Sequence, residues 1–199
     1  MKSNEVANLY DKIANDYSLK IQSKSPSELF EFINLLPKSA KVIDIGCAAG
    51  RDSKKIFDAG FKVIGIDVSK KLLNIAKKNY PEIEFKLADM AHLSFSDRYF
   101  GGIYANAVLH HVDRNKMLPV LKEFYRVLDS GGILYISTKT GIGTRSGHDA
   151  FATVDRLFTL TTLDELDGLL RKAGFKKIKI YIRKSSSKRI DWNVAFYKK

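Results

Sequence analysis

Three carboxylates recur at matching places in the first half of the sequence: Asp44 in VIDIG, Asp67 in VIGID and Asp89 in LADM, each inside or at the end of a short apolar run. An ionised carboxylate only accepts hydrogen bonds, so it suits ligand hydroxyls and amines. The first is followed at once by GCAAGRDS, a turn of small residues leading into a helix start. Such a turn lets backbone approach a ligand, and a helix beginning near Arg51 aims free N–H groups at the same spot, which favours a carboxylate or phosphate.

Asp67 stands about twenty residues beyond the turn, where an acid accepts from both hydroxyls of a ribose. Asp89, followed by Met90, offers a carboxylate to an adenine amine with an apolar side chain against the ring. The turn carries only Gly46 and Gly50, with Ala48 between them. Without the middle glycine that lets a pyrophosphate sit close, the set points to an adenosine carrying no phosphate rather than to a dinucleotide.

These residues need a scaffold that brings strand ends together. From Lys41 onward, strand-like and helix-like segments alternate, the sign of a parallel sheet covered by helices. The runs KVIDIG, FKVIGID, IEFKLAD, YFGGIYANA and GGILYIST read as strands. RDSKKIFDAG is a helix stopped at Gly60, and VSKKLLNIAKKNY is a helix capped by Ser69. Pro119 predicts a short turn after Asp113, with the main helix starting near the proline. Thr162 and Glu165 form a capping box for a helix that Gly174 ends. The last strands, around a serine-rich turn, have no room for a crossover helix and must pair antiparallel. Two further helices are expected near residues 4–19 and 26–36.

The chain has 199 residues, 45% of them hydrophobic and 28% charged, as in an ordinary globular domain. Its polar start, the lack of a long apolar run and a single cysteine, Cys47, predict a cytoplasmic protein. His92, His110, His111 and His148 show no metal-binding spacing, so no metal is expected. The formal net charge is +12, and residues 171–199 hold eleven Lys or Arg against one acid, Asp191. That balance fits either an anionic partner or a blunted sheet edge.

The ordered set VIDIGCAAG, VIGIDVS, LADM, YANAVLHHV and RVLDSGGILYIS resembles the class I S-adenosylmethionine-dependent methyltransferases over nearly the whole chain. The resemblance implies an α/β Rossmann-like three-layer sandwich with a mostly parallel seven-stranded sheet and an antiparallel C-terminal hairpin. It implies one domain over residues 1–199, with lid helices in 1–38 and a catalytic core in 39–199. S-adenosyl-L-methionine would be the cofactor and S-adenosyl-L-homocysteine the product. At matching positions, Asp44, Gly46, Cys47 through its backbone, and Gly50 would hold the methionine part. Asp67 and Val68 would serve the ribose, Ala88, Asp89 and Met90 the adenine, and Asn106 and Ala107 would flank the methionine. Tyr10 and Tyr17 would lie on a lid helix. The sequence departs from the family at Ala48, tolerable there if its φ is negative, and at Gly101, where such enzymes commonly carry Asp.

For such a reaction the protein mainly holds a nucleophile in line with an activated methyl group. His110 and His111 are candidates for a base where the acceptor must lose a proton. The long polar segment after the fifth strand, STKTGIGTRSGHDAFATVDRLFTL, reads as a loop on the ligand face. Its Lys139, Arg145, His148 and Arg156 could recognise an anionic small-molecule acceptor, a carboxylate or a phosphate. Arg51 could face the methionine carboxylate or the acceptor, while Asp52 complements the helix dipole. Two alternatives stay open: an RNA or protein methyltransferase using the basic C-terminal region, and a non-catalytic S-adenosylmethionine-binding module.

Overall fold

A computed structural model of the chain describes residues 3–21, 25–147, 155–185 and 190–199. The expected strands form one seven-stranded sheet. β1 (Lys41–Ile45), β2 (Lys62–Asp67), β3 (Glu84–Leu87), β4 (Phe100–Asn106) and β5 (Leu128–Lys139) run parallel, while β8 (Lys176–Arg183) and β9 (Trp192–Lys198) close it antiparallel. The order is β3-β2-β1-β4-β5-β9-β8. β1 therefore lies between β2 and β4, and the direction of winding reverses there, which opens a crevice over the strand ends.

Alternation along the strands gives each face of the sheet its own core. Val42 packs with Phe32, Ile56, Leu73, Tyr104 and Phe196 under α2 (Glu28–Leu35), α3 (Arg51–Asp58) and α4 (Lys70–Asn79). Ile43 and Ile45 point the other way, toward Leu121, Phe124 and Leu166 of α5 (Arg114–Val127) and α6 (Leu163–Lys172). The strands are buried on both sides, which is why they read as near-continuous apolar runs. Thr162 Oγ1 accepts the Glu165 amide at 3.1 Å and Ser69 Oγ accepts the Leu72 amide at 3.2 Å, so both expected caps form.

The first helix, α1 (Ser3–Ile21), crosses the crevice outside these layers. Asp11 pins it to the start of α4, accepting from the Ser69 hydroxyl at 2.6 Å and the Lys71 amide at 3.0 Å.

Two local expectations are corrected. α5 starts at Arg114 and runs through Pro119, because burying Met117 together with Val120, Leu121 and Phe124 on one face outweighs the backbone hydrogen bond the proline forfeits. The segment after β5 is no plain loop: it contains an antiparallel hairpin of β6 (Thr144–Gly147) and β7 (Arg156–Thr159), apart from the main sheet. Alternation in RLFT drives it, since Arg156 and Phe158 turn inward while Leu157 stays exposed. Ala48 has a φ of +49°, not the negative value its methyl group prefers. The departure at Gly101 has a packing reason, for a Cβ there would stand 2.8 Å from Ala40 Cβ.

Candidate functional site

A cavity of about 780 Å³ lies over the C-terminal ends of β1, β2 and β4, within the range of roughly 300–1,000 Å³ usual for small-molecule sites. Its floor is the turn after β1. Gly46, at a φ of +71°, brings the chain so close to the segment after β4 that a Cβ would sit 2.2 Å from Val108 Cγ1. Gly50 lies behind the cavity rather than on its wall: at a φ of +84° it starts α3, against the Phe85 and Tyr80 rings. Cys47 is buried on the floor, where burial first and the charges of Asp44 and Asp67 next push its thiol up, so it offers backbone and bulk but no thiolate.

The three acids line one wall together. Asp67 accepts the Ala48 amide at 2.9 Å and the Ser69 amide at 2.8 Å, and burial raises its pKa. Asp89 accepts the Ala91 amide at 2.9 Å and the hydroxyl of Ser3 on α1. A carboxylate oxygen has two lone pairs, so both keep capacity for ligand donors. Asp44 accepts from the Ser53 hydroxyl at 2.5 Å and is pushed up to about 7, by burial first and by nearby Asp52 second. Val68, Ala88 and Met90 add apolar surface beside them, and Asn106, Ala107 and Tyr17 complete this part of the lining.

The opposite wall is cationic and aromatic. Arg156, 3% exposed, donates through Nη1 to the Tyr10 hydroxyl at 2.6 Å. The same hydroxyl lies within hydrogen-bonding distance of His111 Nε2, 3.0 Å away. Burial first, then the charges of Arg156 and Lys139, lower the His111 pKa to about 3. His110 is lowered too, by burial, by His111 and by the same two cations. Both imidazoles are neutral near pH 7 and poorly suited as bases, since effective proton transfer wants a pKa near the working pH.

Lys139 is buried beneath this wall, its ammonium 4.4 Å from the Phe158 ring and 4.8 Å from the Trp192 ring, and acts there as a fixed charge rather than as part of the lining. Arg145, in β6, is exposed and does not reach the cavity. His148 lies outside the described residues, as does part of the serine-rich turn. Arg51 lines the cavity, but its guanidinium clasps Asp52 at 2.7 Å and the Ile21 carbonyl at 2.7 Å. Asp52 also accepts from Ser25 at 2.5 Å, making it a buried junction between the helices rather than a simple dipole partner.

Trp192 and Arg183 were not expected at the cavity, yet both line it. The antiparallel ending supplies the signal: the first residue of β9 falls beside the last residue of β5, and Trp192 pairs with Lys139. Five of the basic C-terminal residues find acids of their own. Arg171 and Lys177 reach Asp167, Lys179 reaches Glu31, Arg183 reaches Glu28 and Lys184 reaches Asp191. Among the described residues, no helix is long and apolar enough to cross a membrane.

Comparison with known proteins places the geometry in context. Residues 43–136 match a family model described as a methyltransferase domain. The chain is 30% identical over 151 residues to the O-methyltransferase cnsE of Penicillium expansum, covering 70% of this chain and 53% of that protein. It is likewise 30% identical over 135 residues to the malonyl-[acyl-carrier protein] O-methyltransferase of Hamiltonella defensa, covering 67% and 51%. The chain thus spans about half the length of these curated relatives. In fold it is similar to the Burkholderia thailandensis 1,6-didemethyltoxoflavin-N1-methyltransferase, solved with bound 1,6-didemethyltoxoflavin and S-adenosylhomocysteine, at a TM-score of 0.74 and 19% identity over 100% of this chain and 91% of that one.

Proposed function

Since the chain belongs to the class I S-adenosylmethionine-dependent methyltransferases, we propose that it methylates a small carboxylate acceptor on oxygen. The residues present fit the cofactor: two acids with lone pairs to spare suit its ribose and adenine, and a turn without the middle glycine suits an amino acid better than a pyrophosphate. Asp67 and Val68 would hold the ribose, Ala88, Asp89 and Met90 the adenine, and Asp44, Gly46, Cys47, Asn106 and Ala107 the methionine part. Bound S-adenosylmethionine supplies a methyl group already activated on its sulfonium.

One observation carries the choice of acceptor. A buried arginine stands at the cavity wall beside two histidines that burial first, and the nearby cations after it, keep neutral, so this wall attracts an anion and lacks an effective base. A carboxylate matches both properties: it is anionic at neutral pH and has no proton to lose before attack. Arg156 would hold it, with Lys139 adding positive potential from behind and Tyr10 fixing the arginine. The docked α1 would exclude water from the reacting atoms. A cytoplasmic location, expected from the sequence, is part of the same proposal.

The test is incubation of the purified protein with S-adenosylmethionine and a panel of small carboxylic acids, followed by mass spectrometry. Formation of S-adenosylhomocysteine together with a methyl ester is expected. Calorimetry showing no affinity for either form of the cofactor would remove the cofactor assignment. A methylated amine or thiol in place of an ester would remove the carboxylate.

A further inference from the structure

Asn106 ends β4 at the cavity, and its carboxamide has one end that accepts hydrogen bonds and one that donates them. Which end meets a ligand is decided from the sheet side. The Ala107 amide donates to Ser137 Oγ at 3.0 Å and to the Ser137 carbonyl at 3.1 Å. The Ser137 hydroxyl accepts at that contact and donates to Asn106 Oδ1, 2.7 Å away. The Tyr135 hydroxyl lies 3.5 Å from the same oxygen. Ser137 is fully buried, which screens this arrangement from solvent. Its hydroxyl also helps to hold Ala107 at a φ of +60°, a conformation that non-glycine residues adopt at a cost.

We propose that Ser137 is a positioning residue that turns Asn106 Nδ2 into the cavity as a donor for a ligand carboxylate oxygen. With the amide reversed, Asn106 would present an oxygen to that carboxylate and repel it. The identity of the ligand rests on the methyltransferase reading above. Two carboxylates share the required chemistry, that of the cofactor's amino-acid part and that of the acceptor.

Three ligands separate the sources: S-adenosylhomocysteine, 5′-methylthioadenosine, which lacks the amino-acid part, and malonate as a carboxylate probe with S-adenosylhomocysteine present. Binding is read by calorimetry and by fluorescence of Trp192, the single tryptophan, on the cavity wall. Ser137→Ala is expected to weaken one carboxylate ligand roughly tenfold, the scale of a hydrogen bond to a charged group. Binding of 5′-methylthioadenosine should stay within about twofold, because that ligand has nothing for the donor to hold. A loss confined to S-adenosylhomocysteine assigns the cofactor carboxylate, and a loss confined to malonate assigns the acceptor. Ser137→Thr should restore the wild-type value, and Asn106→Ala should repeat the Ser137→Ala profile.

Unchanged affinity for every ligand that the wild type binds, or an equal loss for 5′-methylthioadenosine, overturns the proposal. If the wild type binds no adenosine ligand, the methyltransferase reading fails by itself. The amide orientation is then read by NMR: cross-peaks from the Asn106 Nδ2 protons to Ser137 Hβ overturn it, and their absence supports it.

Discussion

The Asp67 carboxylate holds the Ala48 amide at 2.9 Å, tying the end of β2 to the middle of the turn after β1. Ala48 is left-handed, at a cost of about 1–2 kcal/mol for a residue with a Cβ. A hydrogen bond to a charged group contributes about 1.5–3 kcal/mol, enough to offset that strain. Asp67 is therefore part of the turn's own structure as well as the acid assigned to the ribose.

That double role predicts two separable effects. Asp67→Ala should lower the urea midpoint of the ligand-free protein, by about 1–3 kcal/mol of stability, and also weaken S-adenosylhomocysteine at least tenfold. Ala48→Gly should leave affinity nearly unchanged and raise stability by up to about 1 kcal/mol, because relief of the left-handed strain exceeds the added freedom of the unfolded chain. Equal stability of Asp67→Ala and wild type without ligand would show that the turn does not depend on this carboxylate.

Asp44 predicts a pH dependence. Its pKa is raised, by burial first and Asp52 second, to about 7. A carboxyl raised in the folded state contributes stability that is fully present below its unfolded pKa, near 3.9, and lost as pH rises through about 7. Urea midpoints measured from pH 5 to 8 should fall by up to about 1.4 kcal/mol per pH unit relative to Asp44→Asn, in which this slope is absent. A ligand ammonium placed beside Asp44 favours the ionised form, so affinity for S-adenosylhomocysteine should rise across the same interval. Parallel stability curves for the two proteins would contradict the assignment.

Gly101 gives a packing prediction. It faces Ala40, and a Cβ would come within 2.8 Å of the Ala40 side chain and 3.3 Å of its Cα. Gly101→Ala should cost about 1–3 kcal/mol through overpacking. Combining it with Ala40→Gly should recover part of the loss, as a double-mutant cycle by urea denaturation would report. Simple additivity of the two changes would place the cost elsewhere.

How much of this was legible in the sequence follows from how local each feature is. The strands, the turn after β1 and the acids at positions 44, 67 and 89 are set by contiguous runs, and apolar patterning places them without knowledge of the partners. The positive φ of Ala48 is not legible in the sequence because its anchor lies nineteen residues away. The start of α5 was misjudged because the local cost of Pro119 is visible in the sequence and the burial that offsets it is not. Trp192 was missed although the antiparallel ending already implied its place beside Lys139. The link from Tyr10 to His111 and Arg156 spans 101 and 146 residues, and no periodicity reports contacts of that kind.

That link makes the last prediction the most direct test of the cationic wall. Arg156 lowers the His111 pKa after burial has done so, and Tyr10 holds the guanidinium in place. Removing the charge with Arg156→Met should move the His111 titration upward from about 3 toward the ordinary histidine range, as followed by NMR of the imidazole. Burial remains in that variant, so the shift should stop short of a full return. Tyr10→Phe keeps the charge but removes the hydroxyl beside Nε2, so His111 should stay neutral at pH 7. With a carboxylate acceptor, Arg156→Met should raise KM at least a hundredfold, the scale of losing one partner of a buried charge-assisted pair. Tyr10→Phe should raise it less, and Arg156→Lys should not restore it, because an ammonium cannot reproduce the fork of the guanidinium. If His111 titrates identically in wild type and Arg156→Met, the arginine does not set the electrostatics of this wall, and the carboxylate reading loses its main physical support.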